Sequence, residues 1–436
     1  MYTLNPQTLM RAEPLAALWF HRRTAETLEL DLEGLQTLHR ILSGQRLWSL
    51  KALQFRHYLV AKNFITKTPH KTDHSLEQNS LEDLETMISE TKILKAPLRS
   101  RMAPEVLHLS LTDACQQSCS GCFFSNQTAS TPNRYMSPTT YQRLLEEAVR
   151  HQVFQLALGG GEPLMHPELV NYVARATAAG LVANLTTNGA LLTAAKAQQL
   201  KSAGLGQIQF SLNGSTAAMH EVTRPHFEKV LQGIEHASIT GLRWGLNILV
   251  TRKNLSDLDN VLTLALKKGA AMVNLLRPKA AQADAEWLAT HQLDARGHQE
   301  LQELLRYWQK APFALMTDTS YTFLRMGKAR QMQQAGITGC SAGRRMLSIQ
   351  VDGRCSPCSH VDMHNDGAKG FMAVWRESEH LQKFRQLEDR LTGLCGSCEL
   401  KDVCRGCRAV VMAEGRDFNG EDLQCPKHRS ISLLPS

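Results

Sequence analysis

Leu109-Ser110-Leu111-Thr112-Asp113-Ala114-Cys115-Gln116-Gln117-Ser118-Cys119-Ser120-Gly121-Cys122 runs from a β-like stretch (Glu105–Leu111) straight into a C-x3-C-x2-C loop. A closed tetrahedral zinc site needs a fourth protein ligand close by, and no Cys or His follows until His151. Thiolates also hold iron–sulfur clusters, and a cubane seated on three of them leaves one iron open. Three reduced cysteines in an ordinary core are the bland alternative. An open iron is a place for a cofactor to bind.

Outward from that loop, residues 101 to about 278 alternate strand-like and helix-like segments with short connections, the pattern of a parallel sheet. Strands are expected at Glu105–Leu111, Val153–Leu158, Val182–Thr187, Gln207–Leu212, Trp244–Val250 and Met272–Leu276. Helices are expected to start near Pro138, Pro167, Thr193, His226 and Asn254. Six repeats predict an α/β fold, a partial (β/α)6 barrel of the TIM type, whose chemistry collects at the C-terminal strand ends. Gly159-Gly160-Gly161-Glu162-Pro163 falls there, 37 residues after Cys122. Glycines let backbone come close to a ligand, and a carboxylate can accept from an ammonium group. Thr187-Asn188-Gly189 ends the third strand and Ser211-Leu212-Asn213-Gly214 the fourth; seen alone, each is more often a plain turn.

C-x3-C-x2-C after the first barrel strand resembles the radical S-adenosylmethionine (SAM) enzymes. The resemblance implies a 4Fe–4S cluster on Cys115, Cys119 and Cys122 whose open iron chelates SAM, yielding a 5′-deoxyadenosyl radical that removes hydrogen from a substrate. It also implies cofactor contacts from Gly160, Gly161, Glu162 and Pro163 to the SAM amino group. Ser211 and Asn213 resemble the family's S-x-D-G stretch at the ribose and carboxylate, with Asn188 a further contact. In one place the chain departs from the pattern. The residue before the third cysteine is usually aromatic, and here it is Gly121, with Phe123 and Phe124 after the cysteine.

The 436 residues allow two to four domains. Apolar (43%) and charged (21%) fractions are those of a folded soluble protein. No apolar run approaches the ~18 residues that span a bilayer, and the N-terminus lacks signal-peptide features, so a cytoplasmic protein without a membrane partner is expected. Eleven cysteines cannot all pair as disulfides, and they cluster: three in the first loop and eight between Cys340 and Cys425. Clustered thiols in a reducing compartment point to metal. A net charge of +8 favours an acidic partner without choosing its class.

Residues 1–68 read as a separate unit. Leu15–Phe20 and Thr27–Leu30 suit strands, and Asp31 can cap a helix carrying Leu32, Leu35, Leu38, Ile41 and Leu42. A second helix is expected from Leu47 to about Val60. This order resembles the winged-helix, PqqD-like peptide recognition element, which binds a leader peptide as an added strand. The same pattern could bind DNA through Arg22, Arg23, Arg40, Arg46, Lys51 and Arg56. Nothing else in the chain suggests base readout, so no nucleic-acid partner is expected. Residues 69–100 read as a linker, Thr68–Ser80, and a polar helix, Leu81–Leu94.

Residues 279–338 read as bridging helices, with Trp287, Tyr307 and Trp308 as core or interface aromatics. The tail, 339–436, holds Cys340, Cys355, Cys358, Cys395, Cys398, Cys404, Cys407 and Cys425. Cys395-x2-Cys398-x5-Cys404-x2-Cys407 could in isolation be a zinc ribbon. The wider pattern, with Cys340-x12-Gly353-x4-Cys358 before it and Cys425 after, resembles the SPASM domain and its two auxiliary 4Fe–4S clusters. The usual last gap is one residue longer than the one here. The resemblance assigns Cys395, Cys398, Cys404 and Cys425 to the distal cluster. It assigns Cys340, Cys358 and Cys407 to the nearer one, with Cys355 as fourth ligand; a free Cys355 would leave an open iron. Sulfatase-maturing relatives carry an Asp after the cysteine equivalent to Cys358. Here that residue is Ser359, with His360, Asp362 and His364 as nearby alternatives for a base.

The expectation is therefore a radical SAM/SPASM maturase of a ribosomally made precursor peptide. It would recruit an acidic leader through residues 1–68 and take electrons from a flavodoxin or ferredoxin. The resemblance implies hydrogen abstraction at a side-chain Cβ and a carbon–carbon or ether cross-link, with thioether formation second. Sulfatase maturation, a zinc-bearing winged-helix DNA-binding protein and a non-catalytic leader-binding scaffold are the other classes weighed.

Overall fold

The computed structural model describes residues 2–67, 74–97, 99–122, 124, 134–279, 285–324, 331, 339–361 and 363–427, with backbone alone for 74–80. Phe123 and Asp362, named above, and residues 68–73 of the linker lie outside the described residues. Two units are distinguished, Met1–Ala103 and Pro104–Ser436.

In the first unit, β2 (Thr8–Glu13), β3 (Ala16–His21) and β4 (Glu26–Asp31) form an antiparallel meander with β3 in the centre. β1 (Tyr2–Leu4) pairs antiparallel with β5 (Ile65–Lys67). Asp31 caps α1 (Leu32–Leu42) by accepting from the Gly34 N–H at 2.8 Å. α2 (Leu50–Ala61) starts at Ser49, and α3 spans His74–Glu90. Trp19, Leu35, Leu38, Ile41, Leu59 and Phe64 close the core, with Trp19 edge-on to Phe64 at 4.8 Å.

β2 escapes a reading by polarity because its buried face is ionic. Arg11 and Glu13 are buried as an ion pair at 2.8 Å, and Arg11 also donates to the Ala103 carbonyl. A strand normally shows itself by burying its apolar face; this one buries a salt bridge.

In the second unit, β6 (Val106–Thr112), β7 (Gln155–Gly160), β8 (Val182–Thr187), β9 (Gln207–Ser211), β10 (Trp244–Leu249) and β11 (Met272–Leu276) are parallel neighbours in chain order. Helices α4 (Pro138–Arg150), α5 (Leu169–Ala178), α6 (Ala194–Ser202), α7 (Phe227–Ile239) and α8 (Leu258–Lys268) connect them. Ser137 caps α4 with Pro138 in its first turn, and Thr193 caps α6. This is an open parallel α/β barrel. Two further parallel strands extend it. β12 (Ala314–Thr317), inside the stretch read as bridging helices, pairs with β11, and β13 (Met346–Ile349), from the cysteine-rich tail, pairs with β6. The two-residue β14 (Cys355–Ser356) then pairs antiparallel with β13.

Alternation along the strands divides two faces. Leu107, Leu109, Leu156, Leu158, Ile208 and Phe210 are buried toward the helices. The opposite face, toward the barrel interior, carries His108, Gln155, Asn184, Gln209, Asn247 and Asn274, of which Asn184 donates to Gln155 at 3.0 Å. Among the described residues, no helix is long and apolar enough to cross a membrane.

Candidate active site

At the end of β6 the Thr112 hydroxyl accepts from the Ala114 N–H and donates to the Arg134 carbonyl, turning the chain toward Cys115. The end of β7 clamps this turn. Gly161 N–H donates to the Thr112 carbonyl and Glu162 N–H to the Ala114 carbonyl, both at 2.7 Å. A Cβ on Gly160 (φ +110°) would lie 2.3 Å from the Thr112 carbonyl oxygen, and one on Gly161 2.2 Å from that of Ala114. Only glycine permits backbone to approach backbone this closely.

Glu162 is buried and fully engaged by the protein itself. It accepts from Leu164 N–H (3.0 Å), the Thr187 hydroxyl (2.6 Å) and Asn188 N–H (2.8 Å), locking the end of β7 to that of β8. Burial pushes its carboxyl pKa up, against the pull of these bonds. Pro163 follows within the same buried turn. Asn188 in turn exchanges amide hydrogen bonds with Gln116 at 3.1 and 3.3 Å, and its Nδ2 lies 3.9 Å from Cys115 Sγ. Ser211 ends β9 on the interior face, level with Asn247. Asn213 is occupied elsewhere: it bonds His220, Thr223 and the Leu249 N–H, joining the ends of β9 and β10. Thr223 then receives the Ser120 N–H of the cysteine loop at 3.1 Å. Glu162 and Asn213 thus brace the loop from neighbouring strand ends.

Cys115, Cys119 and Cys122 stand in that loop with some surface accessible. Burial pushes the Cys115 and Cys119 thiols up, and the Arg224 guanidinium, with Nη1 3.7 Å from Cys119 Sγ, opposes this at Cys119. A cation there suits a thiolate ligand. An aromatic ring from another part of the chain packs against Gly121. Trp287 donates from Nε1 to Ser120 Oγ at 2.7 Å, and a Cβ on Gly121 (φ +68°) would fall 2.2 Å from its ring. Trp287 also stacks on His291 at 4.3 Å. Trp308 bonds Asp259, and Tyr307 is exposed.

Among the described residues, no three of Cys, His, Asp and Glu converge as ligands of a single ion. Cys404 lies within electrostatic reach of Cys395 and Cys398, and Cys425 of Cys404 and Cys395. Cys358 has Cys340 and Cys407 beside it. The run that would make one zinc ribbon is therefore split, Cys407 turning to the other group. Cys355 joins neither. Its thiol is buried against Gly353 and Gly367, with Glu147 and Arg143 of α4 as the nearest charges. The thiol sets suit clusters: two groups of three and one of four, with cationic side chains among their electrostatic neighbours.

The barrel interior has unspent hydrogen-bonding capacity. Gln209 Oε1, Asn247 Oδ1 and Ser348 Oγ are buried without a partner inside the protein. His108 faces the same space, and burial lowers its imidazole pKa to about 4, so it is neutral. Sequence reading missed these lining amides, together with Gln116, Arg224 and the Gly121–Trp287 contact. The alternation Gln207-Ile208-Gln209-Phe210-Ser211 was the available signal for the lining.

The profile of the Radical SAM superfamily matches residues 109–265, and that of the SPASM iron–sulfur cluster-binding domain matches 340–408. The mycofactocin maturase MftC of Mycobacterium ulcerans is 30% identical over 74% of this chain and 88% of its own length. The AdoMet-dependent heme synthase of Methanosarcina barkeri is 27% identical over 74% and 96%. The PqqA peptide cyclase of Ruegeria pomeroyi is 28% identical over 78% and 92%. Among solved structures, SuiB of Streptococcus suis bound to S-adenosylmethionine matches with a TM-score of 0.69 at 16% identity, covering 98% of this chain and 100% of SuiB. SuiB has also been solved with its precursor peptide SuiA.

Proposed function

We propose that this chain, which belongs to the radical SAM superfamily and carries a SPASM iron–sulfur extension, is a maturase that cross-links a ribosomally made precursor peptide. The family makes it an enzyme that uses S-adenosylmethionine with a 4Fe–4S cluster, and the SPASM region holds auxiliary clusters. When bound, cluster and cofactor supply a 5′-deoxyadenosyl radical able to remove a hydrogen atom from an unactivated carbon.

The protein's part is placement. Cys115, Cys119 and Cys122 would hold the first cluster on a loop fixed by the Gly160–Gly161 clamp, with Asn188 and Ser211 toward the cofactor. Cys340, Cys358 and Cys407 would serve the nearer auxiliary cluster, and Cys395, Cys398, Cys404 and Cys425 the distal one. The observation that carries the peptide reading is the interior lining: buried polar atoms on Gln209, Asn247 and Ser348 without a partner inside the protein. Peptide amides would satisfy such groups, and their satisfaction would reward a bound backbone. The names of two relatives, a maturase and a peptide cyclase, point the same way.

Residues 1–68 would act as the PqqD-like leader-binding element, pairing an acidic leader with the free edge of the β2–β3–β4 sheet. Residues 69–100 would join it to the barrel of residues 101–278, with 279–338 bridging to the tail, 339–436. A flavodoxin or ferredoxin would supply electrons, in the cytoplasm. Cross-linking at a side-chain Cβ, carbon–carbon or ether, is the preferred product, with thioether formation second.

The test is anaerobic turnover of reconstituted enzyme with the precursor peptide encoded beside it, reading deoxyadenosine and peptide mass. Deoxyadenosine formation with loss of two hydrogens from the peptide is expected. Deletion of residues 1–103 should abolish peptide modification while leaving slow SAM cleavage. Turnover of a tetrapyrrole in place of peptide would overturn the reading.

A further inference from the structure

We propose that Gln117 tunes the first cluster: when Cys119 ligates iron, the Gln117 side-chain amide turns to donate an N–H to its sulfur, raising the potential at which the cluster is reduced. The inference rests on the placement of that cluster on Cys115, Cys119 and Cys122. It gives a task to a residue that the cysteine spacing leaves unspecified.

Gln117 stands between the first two cysteines of the loop and is only 8% exposed. Its backbone N–H donates to the Cys115 sulfur, and its Oε1 accepts from the Cys119 thiol at 3.4 Å. Its Nε2 is buried and has no hydrogen-bond partner among the described residues. A buried donor left so is costly and calls for an explanation. The neighbouring amides are differently placed. Gln116 and Asn188 satisfy each other at 3.1 and 3.3 Å, so the spare donor at this point of the loop belongs to Gln117.

Iron ligation removes the Cys119 proton. A thiolate has nothing to donate, and Oε1 would then face an anionic sulfur across the same 3.4 Å. The two ends of a primary amide are nearly the same size, and half a turn about the last side-chain bond exchanges them in place. That turn puts Nε2 where Oε1 stands, within reach of Cys119 Sγ, and replaces repulsion by a charge-assisted hydrogen bond. The exchange leaves an unpartnered oxygen where an unpartnered NH2 stood, so nothing already satisfied is given up. Arg224 reaches the same sulfur, with Nη1 3.7 Å away, and Cys119 thereby collects two donors. Donors to a cluster's sulfurs favour the reduced, more negative state and raise its potential. Burial of the Cys119 sulfur disfavours negative charge there, and the Gln117 amide offsets part of that penalty.

The experiment is a potentiometric titration of reconstituted full-length enzyme. Spin resonance follows the cluster signal that changes when SAM is added, which marks the first cluster among those present. Gln117→Leu and Gln117→Met keep the bulk and remove the donor. Both should move the midpoint of that signal to a more negative potential, with iron per chain unchanged and the SAM-indifferent signals unmoved. An unmoved or raised midpoint in these variants would overturn the proposal. So would loss of the first cluster's iron from both, which would make Gln117 a packing residue only. Wild-type protein with no SAM-responsive signal would instead overturn the placement of the cluster itself.

Discussion

Gly121 leaves room on the cysteine loop for the ring of Trp287. A methyl group at 121 would sit 2.2 Å from the indole, so Gly121→Ala should push Trp287 off the cysteine loop. Such overpacking costs about 1–3 kcal/mol. The expected readout is weaker SAM binding by calorimetry with iron content largely retained, and partial recovery in Gly121→Ala/Trp287→Ala. Glu162 is a second case. Glu162→Gln puts an amide N–H against one of its three donors, and the expected loss in thermal stability corresponds to about 1–3 kcal/mol. The sequence marked both Gly121 and Glu162 as consequential, but not what they touch. Trp287 lies 166 residues from Gly121, and no local pattern announces such a meeting. Asn213 stands at the strand end where its motif put it, and its side-chain amide braces β9 against β10, a role the motif alone does not show.

At the scale of elements, the six strands β6–β11 were legible because each is a short apolar run followed by turn residues. β12 and β13 were not, since four residues with one polar member give periodicity nothing to work on. β2 was hidden by its buried charges. Arg11→Met would leave Glu13 buried without its partner, and burial already pushes that carboxyl pKa up. Loss of about 3–5 kcal/mol is expected, measured by urea denaturation of the first unit followed through Trp19 fluorescence. The reverse change of both residues to apolar ones of similar volume should cost far less.

At the scale of the second unit, the tail is fastened to the barrel by Arg277 and Asp422, a buried bidentate pair at 2.7 Å for both contacts. Asp422 also accepts from the Cys407 N–H at 2.9 Å, so one carboxylate holds a cluster loop and the end of β11. Although burial opposes it, Arg277 holds the Asp422 carboxyl below the usual carboxylate range. A depressed carboxylate adds stability above its unfolded pKa and loses it as pH falls through the folded one. Wild-type protein should therefore release tail iron in acid below the usual carboxylate range. Asp422→Asn should be less stable by about 3–5 kcal/mol already at neutral pH, and it should lack that acid-dependent step in a pH series of melting temperatures.

β13 carries one more implication. The strand that opens the tail is hydrogen-bonded along its length to the strand that ends at the first cysteine loop. The spacing between the first thiol triad and those of the tail is accordingly built into a single sheet. An electron crossing that gap would wait on no hinge, and thickening the solvent with glycerol should leave its rate untouched.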